Sequence, residues 1–152
     1  MPARRFETTP FFTRNEQTTM SDSQQELLAL NQKLLVAIVG GDWKTYAELC
    51  DPTLTCFEPE ARGHVVEGMP FHKFYFELGG SAPKPAIATN VTMASPHVRL
   101  MGADAAVLSY VRLNQKLNAS GEPVTVAVEE TRVWQRIGGA WKHVHFHRSL
   151  PS

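Results

Sequence analysis

Three arginines occupy comparable positions in three consecutive predicted strands near the end of the chain. Side chains alternate between the two faces of a strand, so residues of the same parity share a face. Arg112, Arg132 and Arg148 each share a face with mostly apolar residues. A guanidinium keeps its charge, so a buried one needs a carboxylate or a bound anion as its partner. The pattern predicts a pocket that holds a small carboxylate or phosphate between the three arginines.

The same pattern is also compatible with a purely structural network. In that alternative, Glu130, Glu60 or Glu67 neutralises the arginines inside the sheet. Glu130 shares the face of the arginines, and we expect it to pair well with only one of them, which favours a ligand for the others. Replacing any of the three arginines by lysine should then weaken binding, because the planar fork is lost.

Histidines and further carboxylates suggest two other kinds of site. His72 lies on a predicted aromatic helix, where it could serve as a general acid-base or as a hydrogen-bond donor to a ligand, and Glu60 and Glu67 are candidate general bases. The histidines at positions 143, 145 and 147 recur at every second residue, so we expect their rings on one side of a strand. Two such rings can share a metal ion. Because no third ligand has a defined spacing, we expect interface packing there, and neither a metal nor a cofactor.

Composition limits the class of protein. The 152 residues suffice for one domain with a core, and 15 basic residues balance 15 acidic ones. No overall field attracts nucleic acid or an anionic membrane, and no apolar run reaches the ~20 residues of a membrane span. Cys50 and Cys56 have no metal or redox spacing, so they indicate reduced core thiols and a cytoplasmic protein.

Periodicity predicts the elements that carry these residues. Ser23 and Glu26 have capping-box spacing at the start of a helix that ends at Gly40-Gly41. Residues 1–20 are expected to be a disordered tail, and residues 21–150 a single domain. The other predicted elements are a helix over 43–50 capped by Asp42, a strand over 53–58 with a hairpin partner over 65–67, a helix over 71–78 with Pro70 as its first residue, a loop over 79–85, a strand over 86–100 interrupted near Pro96, and three strands between residues 104 and 149.

This order predicts an α+β fold. One strongly curved, mostly antiparallel sheet with helices packed on its concave face satisfies it, and such a cone has one open mouth that polar residues can line. The convex face also needs cover, because its residues are too apolar and aromatic for solvent, and a second copy of the chain would provide it. The expected convex residues are Val107, Val111, Leu113, Glu129, Thr131, Val133, Trp141, His143, His145 and His147.

Several segments together carry a family resemblance over roughly residues 26–149. The most specific are Cys50-Asp51-Pro52, Phe57-Glu58-Pro59-Glu60-Ala61, Val66-Glu67-Gly68-Met69, Phe71-His72-Lys73-Phe74-Tyr75-Phe76-Glu77, Glu129-Glu130-Thr131-Arg132-Val133-Trp134 and Trp141-Lys142-His143-Val144-His145-Phe146-His147-Arg148-Ser149. The chain closely resembles the association (hub) domain of calcium/calmodulin-dependent protein kinase II, which belongs to the nuclear transport factor 2-like, or SnoaL-like, superfamily.

The resemblance implies a cone-shaped domain that forms a homodimer through its sheet and builds closed two-layer rings. It also implies a pocket for small carboxylates, lined by residues that match the three arginines. His72, Tyr46 and Tyr75 match residues near that pocket. An alternative within the superfamily is a SnoaL-like small-molecule enzyme (an isomerase, dehydratase or hydrolase) that uses His72 with Glu60 or Glu67.

Kinase activity is not implied by this resemblance. The sequence has no glycine-rich nucleotide loop, no catalytic Asp in a His-Arg-Asp setting and no Asp-Phe-Gly. We therefore expect a free-standing hub that is not a kinase and has no calmodulin partner, and whose partners are copies of itself and a small carboxylate.

Overall fold

The computed structural model describes residues 20–78 and 89–150. The tail predicted over residues 1–20 lies outside this range except for Met20, and the loop predicted over 79–85 lies outside it entirely. Within the described ranges, no helix combines the length and the apolar composition that crossing a membrane requires.

Two helices open the described chain. Helix α1 spans Asp22–Gly40, and Ser21 is its N-cap: the Ser21 hydroxyl accepts from the Gln24 backbone N–H, and the Gln24 side chain accepts from the Ser21 N–H. The capping box predicted at Ser23 and Glu26 is therefore wrong by two residues, because Ser21 and Gln24 have the same spacing. Helix α2 spans Trp43–Leu49 and is capped by Asp42 as predicted.

A third helix and six strands complete the fold. Helix α3 spans Pro70–Glu77 and begins at the predicted proline. The strands are β1 (Cys50–Phe57), β2 (Val66–Glu67), β3 (Asn90–Leu100), β4 (Ala105–Leu117), β5 (Pro123–Ile137) and β6 (Ala140–Ser149), with a short 3-10 turn over Pro59–Ala61 after β1. The predicted interruption near Pro96 is present in β3, where the register shifts between Ala94 and His97.

The six strands form one mixed sheet in the order β2-β1-β6-β5-β4-β3. Strands β3 to β6 make the predicted antiparallel meander. The sequence did not indicate that β1 would pair in parallel with β6, with Cys56 beside Phe146. This pairing brings the end of β1 next to the strand that carries Arg148.

All three helices contact the same face of the sheet, which we call the inner face. The buried Asn31 of α1 accepts a hydrogen bond from the Trp134 indole N–H at 3.3 Å, and the His72 ring of α3 lies 5.7 Å from the Phe146 ring. Tyr46 of α2 is buried and packs against Phe76 of α3. Buried residues alternate along β4 and β5 as the parity predicted: Ala106, Leu108, Tyr110, Arg112, Val128, Glu130, Arg132 and Trp134.

A β-bulge in β6 corrects the histidine prediction. Val133 pairs with His145 but Trp134 pairs with His143, so Val144 is left without a cross-strand partner. One extra residue reverses the alternation of side chains. Trp141 and His143 therefore lie buried on the inner face, whereas His145 and His147 lie on the opposite, outer face. The prediction that three histidines share one side is wrong.

Adjacent glycines at the end of α1 should respond in opposite directions to the same substitution. Gly40 is the last helical residue, whereas Gly41 has φ 69°, and nothing lies within 4 Å of a Cβ at either position. We expect Gly40→Ala to raise the free energy of unfolding by about 0.5–1 kcal/mol. Gly41→Ala should lower it by about 1–2 kcal/mol, because an L side chain is strained in the left-handed conformation. Urea unfolding of both variants measures the difference, and shifts of the same sign would contradict this description of the cap.

Candidate functional site

A cavity of about 200 Å³ opens between the helices and the inner face. It contains the six residues that were predicted to bind a ligand, together with Glu60. Glu67 does not line it, because this exposed residue of β2 points away from the buried Val66 side. The lining residues are Ile38, Tyr46, Glu58, Glu60, His72, Tyr75, Phe76, Arg112, Arg132, Phe146 and Arg148.

Glu130 binds two of the arginines from behind the cavity wall. Its Oε1 lies 2.9 Å from Arg112 Nη1, and its Oε2 accepts from Arg132 Nε and Nη2 at 3.1 and 3.0 Å. The Tyr110 hydroxyl, directly opposite Glu130 in the β4–β5 register, donates to the same Oε2 at 2.5 Å. Both guanidiniums contact Glu130, but within the described residues only Arg132 is hydrogen-bonded to it, because Oε1 has no hydrogen-bond partner despite its distance to Arg112; this agrees with the expectation that Glu130 pairs well with only one cation.

The Glu130 cluster stays ionised although it is buried. Burial alone would raise the pKa of Glu130, but Arg132 and Arg112 outweigh this and hold its pKa below the ordinary value. Burial disfavours the charged form of Arg132, and Glu130 with Tyr110 overcomes this to raise the pKa of that guanidinium. Arg132 also lies 4.7 Å from the centroid of the Phe146 ring, and its Nη1 is 3.3 Å from His143 Nε2. Each of its three nitrogens therefore has at least one partner inside the protein.

Arg148 pairs with two carboxylates from the 3-10 turn that follows β1 and from its N-cap residue. Its Nη2 donates to Glu58 Oε2 at 3.2 Å and also to Glu60 Oε2. Burial raises the pKa of Glu58 above its usual value, whereas the Arg148 bond outweighs burial at Glu60 and lowers the pKa of that carboxyl. Glu58 was not predicted as a site residue. The sequence held one indication of its position: residues two apart on a strand share a face, so Glu58 would be expected to point to the same side as Cys56.

His72 is a neutral side chain in the wall of the cavity. Burial, assisted by the charge of Arg132, lowers its pKa to about 4. Its Nδ1 lies 3.9 Å from Glu58 Oε1. A neutral imidazole has one N–H to donate and adds no charge to the cavity at pH 7. Neither carboxylate that lines the cavity is free of an arginine, so the pairing with Arg148 does not favour an acid-base enzyme.

Arg112 differs from the other two arginines in its free bonding capacity. It is 7% exposed, and its buried Nε has no hydrogen-bond partner among the residues that the structure describes. A buried charged donor without a hydrogen-bond partner lowers the stability of the folded state unless an acceptor is placed near it. Arg112 lines the cavity, so an anionic oxygen placed there could accept this bond.

Glu130→Gln should expose the energetic role of this cluster. The substitution keeps the shape but removes the countercharge of two buried arginines, and breaking such a pair costs roughly 3–5 kcal/mol. The folded-state pKa of Glu130 is below its ordinary value of 4.5, so the stabilisation that it provides is present above that value and is lost as the pH falls through the folded-state pKa. Melting curves should show a melting temperature that is much lower for Glu130→Gln than for the wild type at pH 7. The difference should become smaller under acid conditions. Glu129→Gln, at the exposed neighbouring residue, should leave the melting temperature nearly unchanged. An equal decrease in Glu129→Gln would contradict the role of Glu130 as the buried countercharge.

Comparison with known proteins identifies the family. Residues 23–152 match the family described as the calcium/calmodulin dependent protein kinase II association domain. The chain is 47% identical over 142 residues to the calcium/calmodulin-dependent protein kinase type II subunit delta of Oryctolagus cuniculus, which covers 90% of this chain and 26% of the relative. The chain thus spans about a quarter of the length of this curated relative.

Solved structures agree with this match. The hub homology domain of the Chlamydamonas reinhardtii kinase is 55% identical, with a TM-score of 0.79 over 86% of this chain and 99% of that one. A nuclear transport factor 2-like protein from Cytophaga hutchinsonii is 20% identical, with a TM-score of 0.67 over 86% of this chain and 100% of that one, and it supports the fold alone. The chain belongs to the calcium/calmodulin-dependent protein kinase II association domain family and has the α+β fold of the nuclear transport factor 2-like proteins.

Proposed function

We propose that residues 21–150 form a self-associating hub-type unit whose cavity binds a small carboxylate. Membership of the association domain family supports the first part. One observation supports the second part: Arg112, a buried arginine with an unpaired Nε donor, lines a cavity of about 200 Å³. A free cysteine pair that is buried and unlinked is compatible with the reducing cytoplasm as its location.

The outer face of the sheet supports self-association. The helices of the described chain contact the inner face, which leaves outer rows such as Val107–Val133–His145 and Ser109–Thr131–His147 with only part of their surface covered. Half-buried valines beside histidine and threonine resemble the mixed surface of an isologous interface more than a solvated one. A second copy related by two-fold symmetry would cover these rows.

Solution mass tests self-association directly. The chain has a mass of 16.9 kDa, so light scattering after size exclusion should give an integral multiple of that mass at micromolar concentration. Val133→Arg places a charge in the centre of the outer face and should lower the mass. Ala29→Arg, on the exposed side of α1, is the matched control and should leave it unchanged. A wild-type monomer, or an unchanged mass in Val133→Arg, would refute the outer-face interface.

The cavity favours an anion through directed hydrogen bonds. Both carboxylate partners of Arg148 contact the same nitrogen, Nη2, and Arg112 Nε is unpaired, so both guanidiniums have donors to offer. The neutral His72 and the uncharged Tyr75 also line the cavity. A volume of about 200 Å³ is below the range of drug-sized pockets and fits a short-chain carboxylate.

Arg112→Lys should weaken carboxylate binding by about tenfold or more, because the ammonium group keeps the charge but loses the guanidinium fork. Calorimetric titration with butyrate measures this change, and butyramide, which has the same size without the charge, should bind more weakly to the wild type. Arg99→Lys, on an exposed arginine of β3, is the protein control. Equal affinities for butyrate and butyramide, or unchanged affinity in Arg112→Lys, would overturn the ligand assignment.

A further inference from the structure

Three side chains with different donor atoms meet beside the cavity. Cys56 Sγ lies 3.7 Å from Glu58 Oε1 and 3.9 Å from His72 Nε2, and one donor atom from each residue lies within 4.8 Å of the others. The thiol is fully buried, and the side chains of His72 and Glu58 are 6% and 10% exposed. The proposed carboxylate site accounts for Glu58 and His72 as wall residues, but it gives no role to Cys56.

The fold explains why the three residues converge. Cys56 lies near the end of β1, and Glu58 follows the strand directly with an extended backbone (φ −148°, ψ 156°), so the alternation of side chains continues and the two point to the same side. Cys56 pairs in register with Phe146 of β6, and the His72 ring packs on that same Phe146 from the first turn of α3. The parallel β1–β6 pairing therefore positions Cys56 and Glu58, and the packing of α3 on Phe146 positions His72.

The spacing approaches that of a tetrahedral metal site. Zinc bonds of about 2.3 Å to sulfur and about 2.0–2.2 Å to nitrogen and oxygen place neighbouring ligand atoms roughly 3.3–3.7 Å apart. The Cys56–Glu58 edge of 3.7 Å is already in that range, and the Cys56–His72 edge exceeds it by a few tenths of an ångström. The His72–Glu58 distance of 3.9 Å is measured from Nδ1, the other ring nitrogen, so the imidazole must rotate before a single nitrogen can bind an ion together with Cys56 and Glu58.

Glu58 is oriented by a partner on its other side. Its Oε2 accepts from Arg148 Nη2, and this bond turns Oε1 toward Cys56 and His72. Metal-binding carboxylates are commonly held in this way by an outer hydrogen bond. Arg148 also pairs with Glu60, so its own charge remains balanced when Glu58 binds a cation.

We propose that Cys56, Glu58 and His72 form a binding site for Zn²⁺. A thiolate with an imidazole and a carboxylate selects a borderline-soft ion over Mg²⁺ or Ca²⁺, which prefer oxygen ligands only. Glu58 and His72 line the cavity while Cys56 lies behind them, so the fourth coordination position faces the cavity. Three protein ligands with one open position are typical of a zinc site that exchanges water or a small anion.

Cobalt provides the spectroscopic test. The full chain, first stripped with a chelator, is titrated with Co²⁺, and the thiolate-to-cobalt charge-transfer band is followed in the near ultraviolet. We expect the band in the wild type and its displacement by Zn²⁺. Cys56→Ser should abolish it, because a hydroxyl gives no such transition, and Glu58→Gln, which keeps the thiol and the side-chain shape, should weaken Co²⁺ binding at least about tenfold.

The second cysteine is the matched control. Cys50 is also buried, and its Sγ lies 3.5 Å from His143 Nδ1, but the cluster of three donors does not include it. Cys50→Ser should therefore keep the cobalt band, provided that circular dichroism shows each variant to be folded. The proposal is overturned if the wild type gives no band, if Cys50→Ser loses the band, or if Glu58→Gln binds Co²⁺ as tightly as the wild type.

Discussion

Two guanidiniums that cannot lose their charge share one buried carboxylate, and the geometry of the inner face depends on that arrangement. Arg132 is 1% exposed and Glu130 is 2% exposed. An ion in this environment costs several kcal/mol unless its partner is correctly placed. A slip of β5 against β4 by a single residue would carry Glu130 and Arg132 to the opposite face and leave Arg112 without its carboxylate. The ion cluster therefore specifies the register of the sheet centre more strictly than apolar packing alone would.

The cavity combines permanent charge with overall neutrality. The three arginines around it are matched by Glu130 behind the wall and by Glu58 and Glu60 within it, so three formal positive charges meet three negative ones. An anion would not be drawn in by a net field; it would be recognised by the N–H directions that the carboxylates leave unused.

The sequence predicted what depends on local pattern. The alternation of apolar residues identified the inner-face side chains of β4 and β5, and the turn and capping residues gave the three helices to within about two residues. The convergence of Arg112, Arg132 and Arg148 on one cavity followed from the same alternation. The family resemblance supplied Tyr46 and Tyr75, which no spacing rule would have selected.

The errors and omissions came from features that no local pattern contains. The bulge at Val144 inserts one residue, so parity counted through β6 put His143 on the wrong face. The parallel β1–β6 contact joins residues about 90 positions apart, and without it Glu58 could not be placed beside Arg148. Glu67 was predicted as a candidate general base, but it does not line the cavity. Its strand is two residues long and buries Val66, so the Glu67 side chain points outward.

The position of β6 within the sheet also bears on how the chain is built by the ribosome. Among the six strands that the structure describes, β6 is synthesised after the other five, yet it lies between β1 and β5 and pairs with both. Until it emerges, β1 has only the two-residue β2 as a neighbour among the described strands, and Glu58 and Glu60 lack the Arg148 guanidinium to which both bind. The nascent domain therefore carries an open edge at β1, and its closure is a late, long-range event.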